Sequence, residues 1–491
     1  MRQQRVNKSG PLDVSSATGE TVKESSTRPS GAGPHASSRG LRIVLVAFAC
    51  DPTRGSEPAG GWGWAETLAR RGHTVELLTY PYSNNVRHIR DRVAEMEDAG
   101  ERIKLHVIPA PPTPLWIGML PGWLSGMAAE FLRYDGWQRQ ALTYARSHGL
   151  DAADLVHHVS YGSLQGGCAL HRLGPPLVFG PVGGGQTTPH SHRRYLGAAY
   201  WQEAVRTLRI RCLSRRPLCR TTVSEAAAVL TTNRDTERLA RRLGRTDTRL
   251  MLADGIQESL LREPVEGERA RPVGPPTVLW VGSLIGIKAP ELALRTIAHL
   301  RSEITDARLV IIGDGPLRHA MEQLALRLGV DEFVEFRGRL PWKQVFTAYD
   351  HADALLMTSL RESSSMQSLE ACARGVPVVH LGHQGIGDFS APGGAVSVPL
   401  GDPADLPQRL ASALSGVLGD EQTRRCMEHA ALAWARKHTW VAKAEIAEEL
   451  YRAILPMTDR PSSPRPQTAP EEPRQRFPSR HSGQLRKNGE T

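Results

Sequence analysis

Between residues 41 and 455, short runs of apolar and β-branched residues alternate with longer stretches whose apolar positions recur every three or four residues. This is the pattern of parallel strands covered by helices. Two series of strands are expected. The first runs through 41–47 (LRIVLVA), 74–79 (TVELLT), 103–108 (IKLHVI), 155–158 and 177–179. The second runs through 277–281 (TVLWV), 308–312 (RLVII), 334–336, 354–357 and 376–380. Between them, 262–276 is rich in Pro, Gly and Glu and reads as a linker. Residues 439–456 close the ordered body as an amphipathic helix with Trp440, Ile446, Leu450 and Ile454 near one face. The fold class is therefore α/β: two doubly wound, Rossmann-like domains, 41–261 and 277–438, facing across a cleft. Ligands of such sheets bind at the carboxyl ends of the strands, so chemistry is expected in that cleft.

The flanking segments 1–40 and 457–491 are rich in Ser, Gly, Pro and Arg and lack apolar periodicity. They cannot bury enough apolar surface to offset the entropy of ordering and are expected to be disordered. They also hold six of the ten net positive charges of the 491-residue chain. The excess left on the body is mild, and with the basic tails poor in aromatics no nucleic-acid partner is expected. Six cysteines without a CxxC pair imply neither a disulfide frame nor a structural zinc, and no metal is expected. No apolar run reaches the roughly 18 to 20 residues that cross a bilayer, and MRQQRVNKSG lacks the apolar core of a secretion signal. The expected compartment is the cytosol. The apolar, aromatic segment 110–134, with Trp116, Trp123 and Phe131, reads either as packing over the sheet or as peripheral contact with the inner membrane face.

Several strand ends carry residues suited to an anionic ligand. After the first strand, Gly55, Gly60, Gly61 and Gly63 lead into a helix whose N-terminus can receive an anion. A dinucleotide dehydrogenase is disfavoured, because the second strand ends in Leu78, Thr79 and Tyr80 without the acid that would hold the ribose of NAD. His157 and His158 end another strand, and at least one imidazole is expected to face the cleft, with His158 ahead. Gly183, Gly184 and Gly185 follow a further strand, as a turn or hinge. Lys288 sits between a strand and a helix, where its ammonium can reach a phosphate as a point charge. In LLMTSLRESSSMQSLEACARGVPVV (355–379), a strand runs into a polar loop and then a helix starting near Ser364 or Ser365. Glu362 then falls in the loop and Glu370 more than a turn inside the helix, and the amides near Ser365 and Met366 point at whatever anion enters.

Taken in order, these residues resemble the retaining GT-B glycosyltransferases, specifically glycosyltransferase family 4, over about 41–455. The matching features are Gly60 and Gly61, Lys288, the GDGP turn at 313–316, the strand ending in Gly338, and the E-x7-E pair Glu362 and Glu370 with its A-x-A-x-G-x-P-V-V continuation. The resemblance implies that the second domain holds a nucleoside-diphosphate sugar, that the first holds a hydroxyl-bearing acceptor, and that the last helix crosses back to the first domain. It implies that Glu370 holds the ribose hydroxyls and Glu362 the sugar hydroxyls. Lys288, Ser365 and Met366 would serve the diphosphate, Arg339 and Leu340 the base, and Gly60 and Gly61 the diphosphate and sugar from the opposite side. The family's cleft histidine aligns with Val159, which leaves His157 or His158 to serve. Ser283 stands where the family commonly has arginine, and Arg361 is expected to supply the missing cation. The implied reaction is retaining transfer to an acceptor hydroxyl without cofactor or metal. A GT-B epimerase or phosphorylase, or a non-catalytic sugar-nucleotide binder, is the alternative.

Overall fold

The structure, a computed structural model, describes residues 40–120, 122–263 and 274–455. The expectations for the tails 1–39 and 456–491 and for most of the linker lie outside the described residues. Two parallel sheets form the frame. The first has the order β3-β2-β1-β4-β5-β6-β7, from β1 (Arg42–Ala47), β2 (Thr74–Thr79), β3 (Arg102–Val107), β4 (Leu155–Ser160), β5 (Leu177–Val182), β6 (Ala228–Thr231) and β7 (Arg249–Leu250). The second has the order β10-β9-β8-β11-β12-β13, from β8 (Thr277–Val281), β9 (Arg308–Ile312), β10 (Val334–Gly338), β11 (Ala354–Met357), β12 (Val378–Leu381) and β13 (Ala395–Val398). The strand order reverses between β1 and β4 and again between β8 and β11. Loops leaving those strand pairs therefore diverge to opposite faces and open a crevice at the carboxyl edge of each sheet.

The strands read as nearly continuous apolar runs because both faces of each sheet are covered. In β1, Ile43, Leu45 and Ala47 pack beneath the helices Glu57–Arg70 and Trp440–Ile454, whereas Val44 and Val46 pack on the other face against Tyr134, Trp137 and Ala141 of Gly122–Ser147. β8 repeats the alternation with Val278 and Trp280 on one face and Leu279 on the other. Sequence patterning missed β6, β7 and β13, which have two to four residues each.

The chain passes between the lobes twice. Leu252 and Ile256, on the first passage, already pack in the second lobe's core, ten and six residues before the expected boundary at 262. Ile256 bridges Thr439 on the second passage, its N–H donating to the His438 carbonyl at 3.1 Å and its carbonyl accepting from Trp440 N at 3.0 Å. The last helix, Trp440–Ile454, then packs Trp440, Ala444, Ala447, Leu450 and Tyr451 into the first lobe. Ile446, expected on that face, is exposed instead; Ala444 and Ala447 take the contact because their small side chains let the helix approach closely. Gly63 lets the Trp440 indole lie directly on the first helix, and an added Cβ would collide with it. Gly63→Ala is expected to cost about 2 kcal/mol by overpacking, read from urea unfolding; an unchanged midpoint would show that Trp440 can move aside.

Candidate active site

The lysine loop is built by close backbone approach. Gly313, at φ 136°, lies so near the Gly282 carbonyl that any side chain would clash there. Gly282 N donates to the Ile312 carbonyl at 2.9 Å and Leu284 N to Asp314 O at 3.0 Å, so the GDGP turn supports the loop after β8 from below. A short turn, Gly286–Lys288, follows, and Ala289 in the left-handed region leads into the helix Pro290–Leu300. The loop after β11 clamps this turn: Thr358 Oγ1 donates to the Lys288 carbonyl at 2.8 Å, and Leu360 N to Ile287 O at 2.8 Å.

These supports bring Lys288 Nζ to 2.5 Å from Glu362 Oε2, with both side chains largely shielded. Glu362 is itself positioned by a side chain of its own lobe that also reaches the first lobe. Its N–H donates to Gln384 Oε1 at 2.9 Å, while Gln384 Nε2 donates to the Thr187 carbonyl of the first lobe at 2.7 Å. Ser363 and Thr232 share a hydroxyl hydrogen bond of 2.8 Å, and Asn233 Nδ2 donates to Ser363 O at 3.1 Å. Ser365 caps the helix Met366–Ala373, its Oγ accepting from Ser368 N at 3.2 Å. The amides of Met366 and Gln367 have no hydrogen-bond partner among the described residues and carry the positive end of the helix dipole.

Glu370 lies one turn inside this helix and is buried. Its Oε1 accepts from Trp342 Nε1 at 2.7 Å and its Oε2 from the Tyr349 hydroxyl at 3.1 Å. Burial outweighs these two donors and pushes its pKa up to about 7. Glu370, Met366 and Trp342 line a cavity of about 100 Å³ whose opposite wall comes from Gly55, Ser56 and Asp254 of the first lobe and the interlobe passage. Leu340 packs half-buried on the second core and Arg339 is exposed, just before Trp342.

Four of the expected site residues have partners other than those foreseen. His158 is buried and does not open on the cleft; its Nε2 lies 2.9 Å from the Tyr134 hydroxyl beneath Gly122–Ser147, and burial drives its pKa down to about 3. His157 faces the opposite side, between Tyr451 (2.7 Å) and the Gly180 carbonyl (2.8 Å), pushed down to about 4. Both are neutral packing groups. Gly60 and Gly61 are buried within Glu57–Arg70, against Asp254 and the Ala49 carbonyl, so they serve helix packing; Gly55 and Gly63 are the glycines of that segment that reach the cavity. Arg361, expected at the leaving group, has its Nε 3.0 Å from Oε2 of buried Glu203 on the helix Ala199–Leu213.

Sequence reading passed over Glu57, whose Oε1 accepts from the Ser160 hydroxyl at 2.9 Å and Gly162 N at 2.7 Å and whose pKa burial raises. It also passed over Gln384, Trp342, the half-buried Asp254, whose pKa desolvation raises, and the buried Lys443, whose pKa desolvation lowers. An isolated Trp or Gln carries no spacing signal. Among the described residues no three His, Cys, Asp or Glu side chains converge as a metal site, and no helix is long and apolar enough to cross a membrane.

Comparison with known proteins agrees with this geometry. A family model described as "Glycosyl transferase 4-like domain" matches residues 62–253, and one described as "Glycosyl transferases group 1" matches 275–420. D-inositol 3-phosphate glycosyltransferase of Corynebacterium urealyticum is 27% identical over 449 residues, covering 85% of this chain and 97% of its own. The enzyme of the same name from Saccharomonospora viridis is 25% identical over 84% of this chain and 94% of its own. Among solved structures, sucrose-phosphate synthase of Thermosynechococcus elongatus superposes with TM-score 0.57 at 19% identity, covering 84% of this chain and 99% of its own. Anabaena HepE, solved with UDP and glucose, superposes with TM-score 0.52 at 16% identity, covering 84% and 99%. Two doubly wound lobes, the lysine and two-glutamate loops between them, and family matches to both lobes agree: the chain is a glycosyltransferase and belongs to the GT-B glycosyltransferases of family 4.

Proposed function

We propose that this glycosyltransferase moves a sugar from a nucleoside diphosphate to an acceptor hydroxyl with retention at the anomeric carbon. The observation that carries the reading is the Lys288–Glu362 pair on adjacent strand-end loops, beside the unpartnered amides of Met366 and Gln367. One carboxylate and one ammonium in contact suit a donor bearing both hydroxyls and phosphates. Glu362 turns to the sugar hydroxyls, and Lys288 with the helix amides takes the diphosphate charge as it develops. The bond between the anomeric carbon and the donor phosphate oxygen breaks. The acceptor oxygen bonds to that carbon from the same face, and its proton passes to the departing phosphate oxygen. Glu370 holds the ribose. The UDP and glucose of the Anabaena structure make UDP-sugars the first donors to test.

Thermal-shift titration with UDP, GDP, ADP and dTDP sugars, followed by NMR of the product's anomeric configuration, tests this reading. An inverted product, or product formed without acceptor, would sink it. In this mechanism the lysine and amides do the neutralising, so turnover is expected to survive a chelator; loss of activity on EDTA treatment, restored by manganese, would show that a metal shares the diphosphate. We place the enzyme in the cytosol. Leu115 and Met119 are almost fully exposed and Trp116 is more than half exposed, an apolar tip suited to peripheral contact with the inner membrane face. Co-sedimentation with anionic vesicles, abolished by Leu115→Ser/Trp116→Ser, is the expected sign; equal pelleting of both proteins would remove the tip from that role.

A further inference from the structure

A second cavity, about 730 Å³, opens beside the cleft among the helices Ala199–Leu213, Pro217–Glu225 and Arg234–Arg242. It is lined by Arg211, Arg215, Arg220, Arg238 and Arg242 against a single acid, Asp235, which is taken up by Arg238. The other four guanidinium groups have no ion-pair or hydrogen-bond partner among the described residues. Arginines nearby that turn elsewhere do find carboxylates: Arg216 meets Asp135, Arg241 meets Glu237 at 3.1 Å, and Arg245 meets Asp247 at 2.5 Å. Like charges gathered around a cavity without counter-charge repel one another, and a bound anion relieves that repulsion.

The cavity adjoins the reaction centre. Gly185 and Thr187 line it, and the Thr187 carbonyl accepts from the Gln384 side chain whose Oε1 holds Glu362 N. At its other end, Ala199–Leu213 meets the lysine loop, where Gly286 lies against Leu196 and Ala199, and Glu203 holds Arg361. From Glu203 to Arg211 is eight residues, about 12 Å along the helix.

We propose that this cavity is an acceptor subsite for phosphate groups, so that the sugar acceptor is a phosphorylated molecule whose anionic end reaches from the cleft into it. The assignment rests on glycosyl transfer occurring in the cleft. Planar guanidinium forks bind phosphate oxygens two at a time, which suits phosphate groups better than an isolated carboxylate.

Calorimetric titration with inorganic pyrophosphate tests it on three proteins: wild type, Arg215→Gln/Arg242→Gln, and Arg241→Gln, whose guanidinium is taken by Glu237 outside the cavity. The double variant is expected to bind at least tenfold more weakly, with Arg241→Gln near wild type. Undiminished binding by the double variant, an equal loss in Arg241→Gln, or no binding by wild type would overturn the proposal. A parallel UDP titration keeps the two readings apart: arginine-dependent pyrophosphate binding without UDP binding would leave the anion site standing and remove the UDP donor. Pelleting with phosphatidylcholine vesicles that carry phosphatidic acid separates the sources. Arginine-dependent pelleting assigns the phosphate to a lipid carrier, and pyrophosphate binding without pelleting assigns it to a soluble one.

Discussion

Replacing Lys288 by alanine is expected to lower turnover by about 100-fold. A charge-assisted contact to the departing diphosphate is worth about 1.5 to 3 kcal/mol, which is 10- to 100-fold in rate. The structure adds to that loss, because Lys288 is the partner of Glu362 at 2.5 Å and its removal leaves a carboxylate facing the incoming phosphates. Ser283 offers no charge in its place, and Arg361 is held by Glu203. Two arrangements can be told apart by the double variant. If Lys288 acts on the diphosphate itself, Lys288→Ala/Glu362→Gln stays slow; if its only task is to neutralise Glu362, removing both charges brings the rate back to that of Glu362→Gln. Steady-state kinetics on the three variants decides, and a wild-type rate for Lys288→Ala would take the lysine out of the site.

Nucleoside diphosphate affinity is expected to fall at least tenfold in Glu370→Ala and to depend on pH in the wild type. Trp342 and Tyr349 now donate to the two carboxylate oxygens at 2.7 and 3.1 Å. A ribose diol offers two hydroxyl donors for the same oxygens, so binding favours the charged carboxylate. Burial raises the Glu370 pKa to about 7, leaving much of the group protonated below neutrality. Affinity should therefore rise from pH 6 towards pH 8 and then level off, with proton release on binding. Glu370→Gln should abolish both trends. Calorimetry in two buffers of different ionisation enthalpy reads the released proton directly, and a flat pH profile in the wild type would refute the ribose assignment.

Much of the frame was legible because buried parallel strands announce themselves as apolar runs: β1, β2, β8 and β9 lie within a residue of their expected bounds. The lysine and glutamate loops were legible because spacing along one strand, loop and helix is a local property. His158 was not. Adjacent residues on a strand point to opposite faces, so a histidine pair promises one imidazole on each face. It does not say that Tyr134 covers one face and Tyr451 the other. Gly60 and Gly61 were legible only in part for a related reason: glycine permits close approach, and only the packed structure shows that Asp254 and Ala49 lie against them.

By itself, then, the sequence determined two doubly wound lobes, the order of their strand-end loops, and the residue types those loops carry to the cleft. Only the tertiary structure decided which of those residues meet. Lys288 and Glu362 are 74 positions apart, and Gln384 holds Glu362 while reaching Thr187 on the other lobe. The arginine cavity likewise draws on three helices that no motif links. Local patterning follows from each segment's own burial, whereas the partner of a polar side chain depends on chain brought from far away in sequence.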